Sequence, residues 1–454
     1  MSVNKKRSKA NASSKTTNHD GDAPTAGEKK GQKKLIVKFV TSTLEKGPTG
    51  LRAEFQGMKR ANNFKVMTAF TAAQPYGKNR YKDVGCLDNQ RVVLKDWHHD
   101  YIHANFVPTP DNKKRFICTQ APLESTCADF WWMCLQEKAE TIFMLCNFKE
   151  KDIKKCHEYF PTKEKDTLVF EEYALKLNED KKPVKDEDSK AYKITVKYES
   201  SKRFKFKGKD ITAKVTQTEL SIEGPNDTTL KTMHYQWHDW PDRGVPLADM
   251  AIVELLEKTR SNKNPIAVHC SAGIGRTGSV VMIDYAIEQF LAGSPIEETD
   301  KMLQKIRETR NNTVQTDQQY LFVHQVLMCY FKNKKLLDKG VEGAHKDFTT
   351  EYEKFSSFLF VGVGQMVAIL LILTIGLGGT QMIKYKCAIN GCSFKSNTVN
   401  TCQSHFDKNH AGTVIKVSYN SNLSKKTEKE LIDITKQCFP QCEPGKLLFK
   451  MKNA

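Results

Sequence analysis

The chain has 454 residues, 39% of them hydrophobic and 27% charged, enough for two or three domains and at least one sizeable core. Its net charge of +18 favours acidic partners (nucleic acid, an anionic membrane face, phosphorylated protein segments) without choosing among them. Thirteen cysteines, with no apolar stretch before residue 35, argue against a secretory leader and a disulfide framework. Free thiols, catalysis or metal binding are expected instead, with the bulk of the chain in the cytosol.

Residues 1–34 carry Lys, Ser, Thr, Asn and Gly and almost no apolar side chains, so they predict a disordered basic arm. The cluster Lys5–Arg7 also fits a nuclear address, but a solvated tail explains it as well. Residues 50–335 hold all five tryptophans and mix β-rich with helical patterns, as one large α/β domain does. Phe116–Gln120 and Thr141–Cys146 read as buried strands. The charge-dense 178–190 reads as a surface loop. Asn264–His269 reads as a strand entered through Pro265, followed by a glycine-rich turn and a helix over Thr277–Leu291 with Gly293 at its C-cap. Strand, tight turn and helix N-terminus in succession form an arrangement that binds phosphate.

From Phe355 to Ile383 no residue is charged, longer than the roughly 20 apolar residues that span a bilayer. A membrane helix is predicted there. Lys384 and Lys386 follow it while Glu351 and Glu353 precede it, which by the positive-inside tendency puts the tail in the cytosol. A large folded region without a leader argues the opposite topology, with 50–335 cytoplasmic, and that reading is adopted. Glycines 362, 364, 376, 378 and 379 also suit close helix contacts or a re-entrant hairpin. Beyond it, in the 384–454 tail, Cys387, Cys392, His405 and His410 have the C-x4-C-x12-H-x4-H spacing of a structural zinc site within 385–410. They resemble a single Cys2His2 zinc finger, except that Cys402 and Phe394 break its core pattern. A lumenal tail would instead offer Cys387, Cys392, Cys402, Cys438 and Cys442 for disulfides and Asn422 for glycosylation.

The chemistry concentrates in Val268–Gly278, VHCSAGIGRTG. Small residues (Ser271, Ala272, Gly273, Ile274, Gly275) separate Cys270 from Arg276, so backbone N–H groups can turn inward as a ring of donors. Arg276 adds a planar fork for two phosphoryl oxygens. Cys270 at the helix N-terminus is expected as a low-pKa thiolate, with His269 orienting the loop and the Thr277 hydroxyl donating to sulfur. A lone cysteine after a strand is more often a small buried hydrophobe; the whole segment outweighs that reading.

These residues, with KNRYKDV (Lys78–Val84), DYIHANF (Asp100–Phe106), TQAPL (Thr119–Leu123), DFWWM (Asp129–Met133), KCHEYFP (Lys155–Pro161), WPDRGVP (Trp240–Pro246) and VQTDQQY (Val314–Tyr320), resemble the tyrosine-specific protein tyrosine phosphatases. The resemblance implies a twisted, mainly parallel or mixed sheet flanked by helices. It also implies hydrolysis of phosphotyrosine proteins through a phosphocysteine, with no catalytic cofactor. Asp242 then serves as general acid and later base, on a loop hinged at Trp240. Gln315 orients the hydrolytic water, with Gln319 beside it. Tyr81 and Asp83 recognise the substrate, Glu150 fixes Arg276, and Lys155 lies near the acid loop. His103, Ala121 and Trp132 depart from the family's usual Asn, Gly and polar residue. Two other readings stay in view. One is a catalytically weak phosphotyrosine-binding module. The other is nucleic-acid binding through the basic tail, which is held to an accessory role at most.

Overall fold

A computed structural model of the chain describes residues 26–58, 60–292, 298–337 and 339–360, and the pairs 385–386 and 395–396. It divides into two units, Met1–Tyr352 and Glu353–Ala454.

In the first unit the elements run α1 (Ala26–Gly57), α2 (Thr68–Ala73), β1 (Arg91–Val93), β2 (Tyr101–Val107), β3 (Phe116–Thr119), α3 (Cys127–Glu137), β4 (Thr141–Met144), β5 (Lys149–Glu150) and β6 (Ile153–Lys154). There follow β7 (Thr167–Glu172), β8 (Leu175–Leu177), β9 (Pro183–Lys185), β10 (Tyr192–Arg203), β11 (Val215–Glu223), β12 (Thr229–Trp237), α4 (Ala251–Lys258), β13 (Ile266–His269), α5 (Arg276–Leu291), α6 (Thr299–Thr309) and α7 (Asp317–Asn333). The last helix, α8 (Glu342–Phe360), crosses into the second unit.

Nine strands form one sheet in the order β1-β2-β3-β13-β4-β12-β11-β10-β7. The centre, β3-β13-β4-β12, is parallel, and every other pairing is antiparallel. The sheet is therefore mixed with a parallel centre, not mainly parallel. Three of the parallel strands, β3, β4 and β13, are short and fully buried, while the longer β12 is exposed in part near its start. Helix α3 packs on β7 and β10, and α5 packs on β3 and β13. The functional loops leave the C-terminal ends of the central parallel strands, where open α/β sheets place their ligands.

Three expectations need correction. Residues 26–34, read as part of a disordered arm, begin α1, and the compact unit takes in chain on both sides of 50–335. Ile36, Phe39 and Val40 are buried, and the Phe39 ring meets Phe290, Phe331 and His324 at 5.1–5.8 Å. The helix bends at Gly47 (φ +58°), before Pro48, which has no N–H to lose. Past residue 335, Phe348 and Tyr352 are also buried. Residues 178–190 are not loop throughout, because β9 pairs with β8 in an exposed hairpin. Helix α5 ends on Ala292, and Gly293 lies outside the described residues.

Within the second unit, Tyr385–Lys386 pairs antiparallel with Lys395–Ser396. Cys387, Cys392, His405 and His410 lie outside the described residues, as do positions 361–383 of the predicted membrane segment. Among the described residues no helix is long and apolar enough to cross a membrane.

If α1 belongs to the core, Phe39→Ala should cost about 3 kcal/mol of stability. The check is the shift of the guanidinium unfolding midpoint of the full chain.

Candidate active site

The turn after β13 is made possible by Gly273, and the packing of α5 behind it on the segment before α7 by Gly278. Gly273 adopts φ +70°, and a Cβ there would lie 2.0 Å from the Thr119 carbonyl oxygen. A Cβ on Gly278 would meet the Val314 nitrogen at 2.6 Å. Both positions are closed to any side chain without displacing backbone. Cys270 is buried at 4% exposure, and its Sγ accepts a hydrogen bond from the Gly273 N–H at 3.2 Å. Burial alone pushes a thiol up. Here the Arg276 charge and the donors of Thr277 and Gly273 outweigh it, so the Cys270 pKa falls below the ordinary 9.0. The Thr277 hydroxyl is buried beside the loop and is among the groups that lower the Cys270 pKa.

Arg276 opens α5 and is 3% exposed. Its Nη1 and Nη2 donate to Oε1 and Oε2 of Glu150, both at 2.6 Å, and Nη1 also donates to the Leu145 carbonyl at 2.7 Å. The bidentate geometry expected for Glu150 is present. Nη2 also reaches Asp242 Oδ1 at 3.0 Å, and Lys155 Nζ donates to Asp242 Oδ2 at 2.6 Å. Burial tends to raise the Asp242 pKa; the Lys155 hydrogen bond and the Arg276 charge overcome it and hold the carboxyl below the usual carboxylate range. Trp240 is buried against Trp237 and Phe322, with its indole N–H on the Gly244 carbonyl at 3.2 Å, so the ring pins the base of the loop that carries Asp242.

Around this centre, Tyr81, Asp83, Ser271, Ala272, Gly275, Gln315 and Gln319 line the same cleft. Ser271 Oγ donates to the Lys155 carbonyl at 3.1 Å, so the Tyr81 hydroxyl, 2.8 Å away, donates to Ser271. The ends of Gln315 and Gln319 crowd the face of Gly275. Gln319 Oε1 accepts from the Gln315 backbone N–H at 2.9 Å, which fixes their mutual position. The Ile274 carbonyl accepts from Val314, joining the loop to the segment before α7. His269 is fully buried; its Nδ1 faces the Cys270 carbonyl at 3.1 Å and its Nε2 faces the Tyr159 hydroxyl at 2.7 Å. Tyr159 in turn meets His234 Nε2 at 2.6 Å. Burial pushes His269 down to about 4 and His234 well below the ordinary value, so both rings are neutral near pH 7.

Sequence reasoning missed Arg310. It is 0% exposed, and it donates to the Gly273 and Ala272 carbonyls (3.1 and 3.3 Å), to Asn105 Oδ1 (2.9 Å) and meets His103 Nδ1 (3.2 Å). His103 therefore works as an acceptor for a buried guanidinium, and burial together with Arg310 pushes it down to about 3. Lys78 was also missed. It is buried between Asp129 (3.0 Å) and Glu172 (2.7 Å), anchoring the loop that presents Tyr81. Of the other departures, Ala121 is fully buried and gives its N–H to the Ser271 carbonyl. The Trp132 indole N–H donates to Lys95 and its ring stacks on Trp97 at 5.1 Å.

A buried thiol, an inward amide, a fixed guanidinium and an adjacent carboxyl on a strand–turn–helix define a phosphoryl-binding α/β domain of the cysteine-loop type. The protein-tyrosine phosphatase family model matches residues 76–329, and the chain belongs to that family. Human receptor-type tyrosine-protein phosphatase C is 31% identical over 288 residues, covering 61% of this chain and 20% of the relative. Mouse tyrosine-protein phosphatase non-receptor type 2 is 29% identical over 281 residues, covering 60% and 62%. The putative receptor-type tyrosine-protein phosphatase mosPTP-1 of Culex quinquefasciatus is 34% identical over 263 residues, covering 55% and 16%. The chain thus spans a fifth or less of the two receptor-type relatives and about three fifths of the non-receptor one.

The electrostatics can be read directly by alkylation. Iodoacetamide should modify Cys270 with an inflection below pH 9, and Arg276→Ala should move that inflection up by about one pH unit or more. An unchanged inflection would remove Arg276 as the source of the thiolate.

Proposed function

We propose that the chain hydrolyses phosphotyrosine in proteins by a two-step covalent mechanism. The observation that carries it is that Cys270, Arg276 and Asp242 line one cleft, with the Arg276 charge and the loop donors favouring ionisation of the Cys270 thiol. In the first step Cys270 Sγ attacks phosphorus and the P–O bond to the tyrosyl oxygen breaks. Asp242 protonates that oxygen, and the equatorial charge rests on Arg276 and the loop amides. In the second, Gln315 and Gln319 position a water whose proton passes to Asp242 as the S–P bond breaks, releasing phosphate and the thiolate. The loop and Arg276 supply the positive field, so no cofactor is assigned to the chemistry.

Asp242 starts ionised in the empty site. A phosphoryl dianion against Cys270 places negative charge beside it and satisfies Arg276, which raises the carboxyl's pKa. Substrate binding therefore arms the acid. The Tyr81 ring bounds the cleft and favours an aryl phosphate long enough to reach the sulfur. Attachment to a membrane through 355–383 is part of the same proposal, supported by its length without charge. The binding-module reading lacks a corresponding observation, because Cys270, Asp242 and Arg276 are all present and line one cleft.

The test is full-length protein acting on a phosphotyrosine peptide and its phosphoserine counterpart, with chelator present. Turnover of the phosphotyrosine peptide only is expected, abolished by Cys270→Ser and lowered about a hundredfold or more by Asp242→Ala. Folded protein that binds the peptide without turnover would overturn the proposal.

Lys155 gives a separate prediction. Its hydrogen bond lowers the Asp242 pKa, so Lys155→Met should raise it and move the alkaline limb of kcat/KM to higher pH, by up to about one unit. A limb that stays in place would show that Lys155 does not control the acid.

A further inference from the structure

Residues 202–214 contain six cations (Lys202, Arg203, Lys205, Lys207, Lys209 and Lys214) and one carboxylate, Asp210. The end of β10, the segment after it and α4 enclose a groove of about 780 Å³. Lys202, Arg203, Lys205, Lys207 and Lys258 line it, and half-buried Phe204 gives it an apolar wall supported by Phe206 and Tyr235.

Two carboxylates also reach the groove, but both are already engaged. Glu254 accepts the backbone N–H groups of Lys207 and Gly208 at 2.7 and 3.0 Å, and Glu257 pairs with Lys334 at 3.0 Å. Among the described residues none of the five lining cations has a carboxylate partner. Clustered unpaired cations repel one another at a cost that an anionic ligand removes.

The same segment is tied to the loop that carries Asp242. The Lys214 N–H donates to Asp239 Oδ1 at 3.0 Å, and the His238 N–H donates to the Lys214 carbonyl at 2.9 Å. The segment that leaves the groove is therefore hydrogen-bonded to the chain just before the loop that carries Asp242.

We propose that this groove binds an acidic peptide segment of the phosphotyrosine substrate, outside the residues that receive the phosphoryl group. The inference rests on the phosphatase reading and narrows its substrates to proteins bearing an acidic stretch. The groove is concave and has the volume of a ligand pocket. A concave, partly apolar trough suits a peptide with side chains better than the flat surface of a bilayer. The net charge of +18 disfavours a second copy of this chain as the occupant.

The probe is a fluorescein-labelled octaglutamate peptide titrated against the full chain carrying Cys270→Ser, so that binding is read without turnover. Binding is expected to weaken with salt and to fall about tenfold in Lys202→Glu/Arg203→Glu/Lys205→Glu, while p-nitrophenyl phosphate hydrolysis by the triple variant with Cys270 intact stays within twofold. Should that variant fail to fold, Lys202→Gln/Lys205→Gln is expected to show a smaller loss in the same direction. Binding unchanged in both variants, equal binding of a neutral peptide, or binding only to phosphatidylserine vesicles would overturn the proposal. Failure of catalysis with this binding intact would instead count against the phosphatase mechanism.

Discussion

A single buried cation organises the site. Arg276 has lost nearly all its water, and every strong contact it makes is to an acceptor fixed by a different part of the chain: Leu145 at the end of β4, Glu150 on β5, and Asp242 on the acid loop. An uncompensated guanidinium at that depth would be costly, and so would an uncompensated Glu150. The pair therefore fixes the β5–β6 hairpin against α5. The Arg276 charge also lowers the pKa of the neighbouring Cys270 thiol against the opposing effect of burial. Structure and reactivity depend on the same charge.

A second guanidinium works from behind. Arg310 takes the carbonyls of Ala272 and Gly273, and a peptide unit whose carbonyl points one way sends its neighbouring amides the other. The loop amides can face the sulfur because Arg310 draws the carbonyls out of the ring. His103 fits here as a neutral acceptor, so its departure from the family's usual asparagine preserves the polar pairing behind the loop.

What could be read from the sequence follows how local the determinants are. Cys270 to Gly278 and Trp240 to Pro246 are contiguous stretches whose residue types dictate turn, donor and acid together, and the structure places them in one cleft. The Glu150 contact was foreseen from the resemblance alone. Arg310 was not, because its partners His103 and Asn105 lie more than 200 positions away and nothing near Arg310 distinguishes it from a solvated arginine. The start of α1 was obscured by the polar residues around it, which predict a disordered arm. Of the two sheet types that the resemblance left open, mainly parallel or mixed, the structure has the mixed one. The basic groove is not legible in the sequence, since only the fold brings α4 beside residues 202–207.

The buried row His234–Tyr159–His269 has a consequence for proton placement. A carbonyl can only accept, so Nδ1 of neutral His269 carries its hydrogen toward Cys270 and Nε2 is bare. The Tyr159 hydroxyl must then point at His269, which leaves its oxygen to accept from Nε2 of His234. His234 is thereby the opposite tautomer, and its bare Nδ1 is the buried atom left without a partner. Every hydrogen in the row points the same way, toward the carbonyl beside the sulfur. Bonds aligned in that manner polarise one another, so the row acts as a small one-way dipole whose positive end faces the Cys270 carbonyl.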